Sequence, residues 1–476
     1  MSIANALKWS FLSELAAKLV SPVVFIVLAR LLTPEDYGVV AAATMVISFS
    51  QIFWEAGMGK AIIQYQGDRA AAADVAFWIN NSLALVVAAI LILVARSWAE
   101  QVFHDVRVAL VLQVMALQVV LSASVSVHTA LLQKDMRFEQ LFWVRLATVA
   151  IPGLTSIPLA WYGMGYWALI AGTLAGQLLQ VIMLWRMSHW RPRWSFNRAA
   201  AREMGGFGVW VGVSGLLAWF YVWADSLIVG MYFGSHELGL YNTGNQFAAM
   251  IFATLFGPIL PVLYSHLSTM NLDRERLGIA IAKVIKVLTL IAIPVAFIIF
   301  SLAESIADVL FGIKWQGIGL VIGVMALMHG ISWVVGMNGE AYRAMGKPAV
   351  ETVVTSALLA IYLGAYLASI RYGVDAFVWT RLALAIGALA LHLVVLRTVV
   401  WVRLSPIARY LVKISILSAA VATSVHFVAR QALPNGWWQL VLSGLLNLML
   451  FGTAIFLLER KGVLREMAVL IRKSEP

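Results

Sequence analysis

Leu31-Leu32-Thr33-Pro34-Glu35-Asp36-Tyr37-Gly38 and Tyr232-Phe233-Gly234-Ser235-His236-Glu237-Leu238-Gly239 stand 201 positions apart in a chain of 476 residues. Each is a short turn between two apolar runs of membrane length, and each ends on a glycine that opens the next run. A second match pairs Val114-Met115-Ala116-Leu117 with Val324-Met325-Ala326-Leu327, offset 210, and continues to the turns Gln133-Lys134-Asp135-Met136-Arg137-Phe138 and Arg343-Ala344-Met345-Gly346-Lys347-Pro348. Four-residue identities are weak alone. Here both pair an apolar run with the run six places later. Six is even, so the two halves enter a membrane in the same sense, as in a parallel repeat about an axis along the membrane normal.

The runs themselves set the class. The chain is 62% hydrophobic and only 12% charged, with mean hydropathy +0.88, whereas soluble domains carry about 25% charged residues. Apolar runs of about 20 residues cross a bilayer core as helices. They fall at 9–29, 38–56, 76–95, 108–132, 141–161, 164–185, 207–232, 239–264, 284–303, 316–338, 350–370, 375–396, 410–429 and 437–458. The run Trp9 to Ala29 is too long for a signal-peptide core and reads as an uncleaved first helix. The connections are short and leave no room for a soluble catalytic domain.

Basic residues orient the spans. With the N-terminus inside, 24 of the 34 Lys and Arg fall on the cytoplasmic side, six on the other, and four (Lys18, Arg145, Lys286, Arg381) within spans. The bias holds loop after loop, as fourteen spans with both termini cytoplasmic require. The net charge of +11 is therefore mostly topological, and no nucleic-acid partner is expected. The expectation is an all-α membrane protein of about 14 helices in two six-helix lobes. It divides into an N-terminal lobe 1–186, a basic cytoplasmic linker 187–205, a C-terminal lobe 206–400, helices 13 and 14 at 405–460, and a cytoplasmic tail 461–476.

Ionisable groups at bilayer depth cost at least about 2.5–3.5 kcal/mol, so each is a functional candidate. Glu14 and Lys18 share a face of span 1 at i and i+4 and can pair. Asp225 lies deep in span 7 and Arg381 in span 12. Span 2 carries a polar stripe Thr44, Ser48, Gln51 and Glu55; span 4 carries Gln118, Ser122, Ser126, Thr129 and Gln133; span 8 opens with Asn242, Asn245 and Gln246 on one face. Such stripes serve equally as glue between helices. Arg145 and Lys286 read as snorkelling residues, and Glu55, near the interface, reads as solvated. Gly172 with Gly176 is a small-residue helix contact. There is no cysteine, no metal spacing among the eight histidines and no Walker A phosphate loop, so no metal, cofactor or ATPase function is expected.

Order and spacing of several short pieces then point to a family. They are Lys8-Trp9-Ser10, Leu28-Ala29-Arg30-Leu31-Leu32 with Tyr37-Gly38, Gly57 with Ile62-Ile63-Gln64, Gln133 to Phe138, Ala224-Asp225-Ser226, Tyr241-Asn242, and Phe311-Gly312 with Lys314-Trp315. The chain resembles, over nearly its whole length, the Wzx-type oligosaccharide flippases of the polysaccharide transporter family. Their superfamily (MOP) also holds the MATE multidrug exporters and the lipid II flippase, and the likeness is greatest to the colanic-acid exporter branch. The resemblance implies two lobes around a central cavity in the bacterial inner membrane. It implies movement of undecaprenyl-diphosphate-linked oligosaccharide units for lipopolysaccharide or exopolysaccharide synthesis, beside a polysaccharide polymerase machinery.

On that reading Lys8, Lys18 and Arg381 attract the diphosphate, Glu14 and Asp225 act as a coupling or ion-pair set, and Gln51, Asn242, Asn245 and Gln246 contact the glycan. No catalytic residue is expected. The alternative is an ion-coupled, MATE-like antiporter of small molecules, which would need a compact acidic pocket.

Overall fold

The computed structural model describes residues 3–55, 57–195, 197–257, 274–336, 338–433 and 436–458. Among them all regular structure is helical. In chain order the helices are α1 (Ile3–Leu31), α2 (Pro34–Glu55), α3 (Met58–Gln64), α4 (Arg69–Gln101), α5 (Arg107–Lys134), α6 (Phe138–Trp161), α7 (Tyr166–Met187) and α8 (Arg198–Phe256). They continue as α9 (Arg274–Ile306), α10 (Ile318–Val334), α11 (Asn338–Ala344), α12 (Pro348–Ser369), α13 (Val374–Val400), α14 (Leu404–Ala432) and α15 (Trp437–Leu458).

Eleven helices are long and apolar enough to cross a membrane. One of them, α8, bends at Gly234 (φ 84°, ψ −177°) and so supplies two passes. With α1 and the 17-residue α10 the described residues account for the fourteen spans read from the sequence. The chain is an all-α, multi-pass membrane protein. It forms two compact units, residues 1–243 with 359–370 and residues 244–358 with 371–476. The expected tail 461–476 and the end of span 8 beyond 257 lie outside the described residues.

Within the first unit, the two turns that opened the sequence analysis pack on each other. Thr33 caps α2: its Oγ1 accepts from the Asp36 amide at 3.4 Å, while Asp36 Oδ2 accepts from the Thr33 amide at 3.0 Å. This is a reciprocal capping box, with Pro34 at the first helical position and Glu35 and Asp36 facing the positive helix end. The approach of α2 to the second limb of α8 is backbone on backbone. A Cβ on Gly38 would fall 1.7 Å from the Ser235 carbonyl oxygen, and one on Gly239 would fall 1.8 Å from the Pro34 carbonyl oxygen. Both pairs exchange places under the offset of 201. So does the contact of His236 Nδ1 with Glu35 Oε1, at 2.6 Å. The repeat thus survives in three dimensions as a reciprocal contact in which only glycine fits.

A polar knot secures the same region. Asp105, between α4 and α5, accepts from Arg107 Nη2 at 2.8 Å and from Ser235 Oγ at 2.7 Å. Burial pushes its carboxyl up, but the hydrogen bonds from Arg107 and Ser235 outweigh that and hold it below the ordinary aspartate value. A lowered folded value means that the stabilisation is full above the unfolded pKa and is lost as pH falls through the folded one. The thermal midpoint of the purified protein should drop between about pH 5 and pH 3. Asp105→Asn should lower it at neutral pH and flatten that dependence; an unchanged pH profile in the variant would exclude Asp105 as the group responsible.

The expected basic linker is pinned rather than loose. After α7 the chain returns over the start of α4. There Asp74, 3% exposed, accepts from the Arg193 amide at 3.1 Å and from Ser195 Oγ at 2.8 Å. Trp78 Nε1 donates to the Arg193 carbonyl at 2.9 Å and its ring stacks on Trp194 at 3.8 Å.

Candidate functional site

The first unit bears an open cavity of about 340 Å³ between α2, α3, α5 and α7, with a lining of mixed polar and apolar side chains. From α2 come Gln51, Trp54 and Glu55, at helical spacings of three and four that put them on one face. From α5 come Ser122, Ser126, Thr129 and Gln133, again one stripe. From α7 come Gln177 and Gln180, and from the short α3 come Gly59 and Lys60. Ile63, Val125 and Ala130 complete the lining, so among the described residues it mixes amides and hydroxyls, one indole, one carboxylate and one exposed ammonium with three apolar side chains.

The local sequence builds this wall. Gly57 adopts a left-handed conformation (φ 68°) that glycine tolerates without strain, and it turns the chain sharply after α2. A Cβ there would also meet the Val211 side chain at 2.8 Å. α3 then lays Met58, Ala61 and Ile62 into an apolar cluster with Ala72, Ala76, Phe77, Val127 and Leu131. Its opposite face, Gly59 and Lys60, closes the cavity. Lys134 fastens the end of α3, donating to the carbonyls of Ile62 at 2.8 Å and Tyr65 at 2.6 Å. A cation on the last carbonyls of a helix is favoured by both hydrogen bonding and the helix dipole. Lys134→Ala should cost about 1.5–3 kcal/mol locally, the worth of hydrogen bonds to a charged group. Faster hydrogen exchange over residues 58–65 would be the sign; unchanged exchange there would contradict the capping role.

The stripes divide between glue and cavity. Ser48 is glue: its hydroxyl accepts from Trp219 Nε1 of α8 at 3.0 Å. Gln51 and Glu55 face the cavity and are bonded to each other, Nε2 to Oε2 at 2.7 Å. The reading of Glu55 as merely solvated is corrected, because α3 folds back beside it and makes it part of a wall. Trp54 is 3% exposed, and its Nε1 has no hydrogen-bond partner among the described residues. A buried indole N–H without an acceptor is costly, and this one lines the cavity. Gln177 and Gln180 were not singled out from the sequence, although their i, i+3 spacing on one helix was the available signal. The Gly172 and Gly176 contact was anticipated, and it presses α7 on α6: a Cβ on Gly172 would lie 2.7 Å from the Pro152 carbonyl oxygen.

The other sequence candidates lie elsewhere. Lys18 is half-buried on α1 in the first unit, and Arg381 is half-buried on α13 in the second. The side chains of Lys8 and Glu14 lie outside the described residues. Asp225 is 2% exposed and accepts from the Tyr241 hydroxyl at 2.7 Å, which ties the two limbs of α8 across the Gly234 bend. Asn242 is half-buried and Gln246 exposed. Asn245 Oδ1 meets His329 Nε2 at 3.0 Å. Lys286 lies over the Tyr410 ring at 5.9 Å. Among the described residues no group of three His, Asp or Glu side chains is placed to hold a metal ion.

Comparison with known proteins agrees with this architecture. The succinoglycan biosynthesis transport protein ExoT of Rhizobium meliloti (strain 1021) is 25% identical over 486 residues, covering 100% of this chain and 97% of its own length. The lipopolysaccharide biosynthesis protein WzxC of Escherichia coli (strain K12) is 21% identical, over 67% of this chain and 65% of its own. Among solved structures, the lipid II flippase MurJ in an inward closed conformation shares the fold with a TM-score of 0.76 at 11% identity, covering 96% of this chain and 100% of that one. The profile of a family described as polysaccharide biosynthesis protein matches residues 27–319, a stretch that runs from the end of α1 into α10 and takes in every wall of the cavity. On that match, which spans more than half of its length, the chain belongs to the polysaccharide biosynthesis protein family.

Proposed function

We propose that the protein is a flippase that carries undecaprenyl-diphosphate-linked oligosaccharide units across the bacterial inner membrane, by alternating access, for lipopolysaccharide or exopolysaccharide assembly. The cargo has an apolar tail that can stay in lipid and a polar, anionic head that cannot cross the hydrocarbon unaided. The head needs a polar route. The observation that carries the reading is the lining of the first-unit cavity. Its volume lies within the roughly 300–1,000 Å³ of small-ligand sites. Its amides and hydroxyls both donate and accept, which suits sugar hydroxyls, and the orphaned Trp54 N–H finds an acceptor in the same ligand. Lys60 at the edge suits a phosphate as a point charge. A MATE-like antiporter of cations would need a compact acidic pocket. Here Glu55 is the one carboxylate of the lining among the described residues and is engaged by Gln51. The names of the relatives, which concern succinoglycan transport and lipopolysaccharide synthesis, support the same direction.

The division into six, six and two spans, the cytoplasmic termini and the contact with a polymerase machinery belong to this proposal. So do the diphosphate role of Lys8, Lys18 and Arg381, the coupling role of Glu14 and Asp225, and the glycan role of Gln51, Asn242, Asn245 and Gln246. The charge bias and the parallel repeat support the topology; ionisable groups on membrane helices support the rest. With no nucleotide motif, an ion gradient or the cargo gradient supplies the energy.

The test is complementation of a strain whose own oligosaccharide flippase is deleted, with Lys18, Arg381 and Asp225 replaced singly by Ala. Wild type should restore surface polysaccharide. At least one variant should reduce it more than about tenfold at unchanged protein level. Failure of the wild type to complement would contradict the function; full export by all three variants would contradict the charge assignments.

A further inference from the structure

The second unit bears a partly open cavity of its own, about 450 Å³, between the end of α9, the end of α14 and the start of α15. Its lining carries charges of both signs. Glu304 and Asp308 sit one helical turn apart, on α9 and on the π-helical turn Ala307–Phe311 that continues it, and Arg430 sits near the end of α14. All three are exposed, and among the described residues none is in an ion pair. Room is kept for one of the carboxylates: a Cβ on Gly319 would come within 2.7 Å of the Glu304 carboxylate. Deeper in the wall, Ser443 is 1% exposed, and its hydroxyl has no hydrogen-bond partner among the described residues.

Three unpaired charges and an orphaned hydroxyl form a template. A bare cation is opposed by Arg430, and a bare anion by the two carboxylates. A ligand with a phosphate at one end and an ammonium at the other meets both. The depth also selects. The cavity lies where α14 ends and α15 begins, beside Trp437 and Trp438, which are exposed as interfacial anchors are. Below them α15 presents Leu445, Leu448 and Met449, also exposed, a face suited to acyl chains.

We propose that this cavity seats the headgroup of a phosphatidylethanolamine-type lipid, its phosphodiester on Arg430 and its ammonium on Glu304 and Asp308, with Ser443 supplying a further hydrogen bond. The assignment is independent of what the protein transports. It is tested on the full-length protein in detergent, by the thermal midpoint during titration with phosphatidylethanolamine, phosphatidylglycerol or phosphatidylcholine. Phosphatidylethanolamine should bind most tightly, because a trimethylated ammonium cannot donate hydrogen bonds and a glycerol headgroup lacks the charge. Glu304→Gln with Asp308→Asn should lower the apparent affinity for phosphatidylethanolamine about tenfold and erase its advantage over phosphatidylglycerol. Arg430→Gln should weaken both lipids alike. Retention of the wild-type preference in the double variant overturns the proposal, as does a wild type without preference. Equal stabilisation by soluble phosphoethanolamine at the same concentration assigns the cavity to a soluble ligand and overturns it too.

Discussion

Gly38→Ala and Gly239→Ala should each abolish accumulation of the folded protein in the membrane, while Gly387→Ala should leave it unchanged. At the first two positions the new methyl carbon would fall less than 2 Å from a backbone carbonyl oxygen of the facing element. A flexible side chain could swing away; a carbonyl inside a helix turn cannot move without breaking the turn. Overpacking a core against side chains typically costs about 1–3 kcal/mol, and against fixed backbone the cost should exceed that range. Such a loss is a large fraction of a typical stability of about 5–15 kcal/mol. At Gly387 on α13 a Cβ meets nothing within 4 Å, so this substitution controls for the general effect of alanine. Membrane abundance and the thermal midpoint of purified protein are the measurements. Normal levels of Gly38→Ala would mean that the reciprocal contact of the two turns does not hold the first unit together.

The double substitution Gln177→Leu with Gln180→Leu should leave protein level intact and cut polysaccharide export severely. Both residues are half-buried on α7, so leucine suits the helix and its surroundings. What disappears is hydrogen-bonding capacity facing the cavity. Each net hydrogen bond is worth about 1 kcal/mol, so losing two costs about 2 kcal/mol, roughly thirtyfold in affinity. A site built from polar groups also discriminates strongly once those groups are removed or left unpaired. Export should therefore fall by more than an order of magnitude at limiting cargo. Normal export at normal protein level would remove the cavity from the transport route.

Much of the fold was legible because bilayer thickness fixes the length of apolar runs. Residues 38–56 or 410–429 need no neighbour to be recognised as spans. The repeat was legible because Gly38 and Gly239 are required by local geometry that recurs. The cavity was only half legible. Gln51 and the stripe from Ser122 to Gln133 stood out by spacing, but spacing alone does not say what a stripe faces. Ser48 belongs to the same stripe as Gln51, yet it meets Trp219. That depends on which helices are neighbours, a long-range property. Glu55 was misread because its wall is built by α3, a seven-residue helix too short to register among the apolar runs. Gln177 and Gln180 were overshadowed by the adjacent Gly172 and Gly176. Asp225 was noted as a buried charge, but its bond to Tyr241 follows from the Gly234 bend, which brings two limbs of one helix side by side.

The measurement closest to the central claim is headgroup translocation in proteoliposomes. The purified protein is reconstituted with an undecaprenyl-diphosphate-linked oligosaccharide, and exposure of the glycan to a membrane-impermeant oxidant is followed in time, beside efflux of a cationic dye. The account predicts that wild type exposes the glycan, that Gln177→Leu with Gln180→Leu slows exposure roughly thirtyfold, and that the dye is not moved. Export of the dye while the glycan stays protected would contradict it.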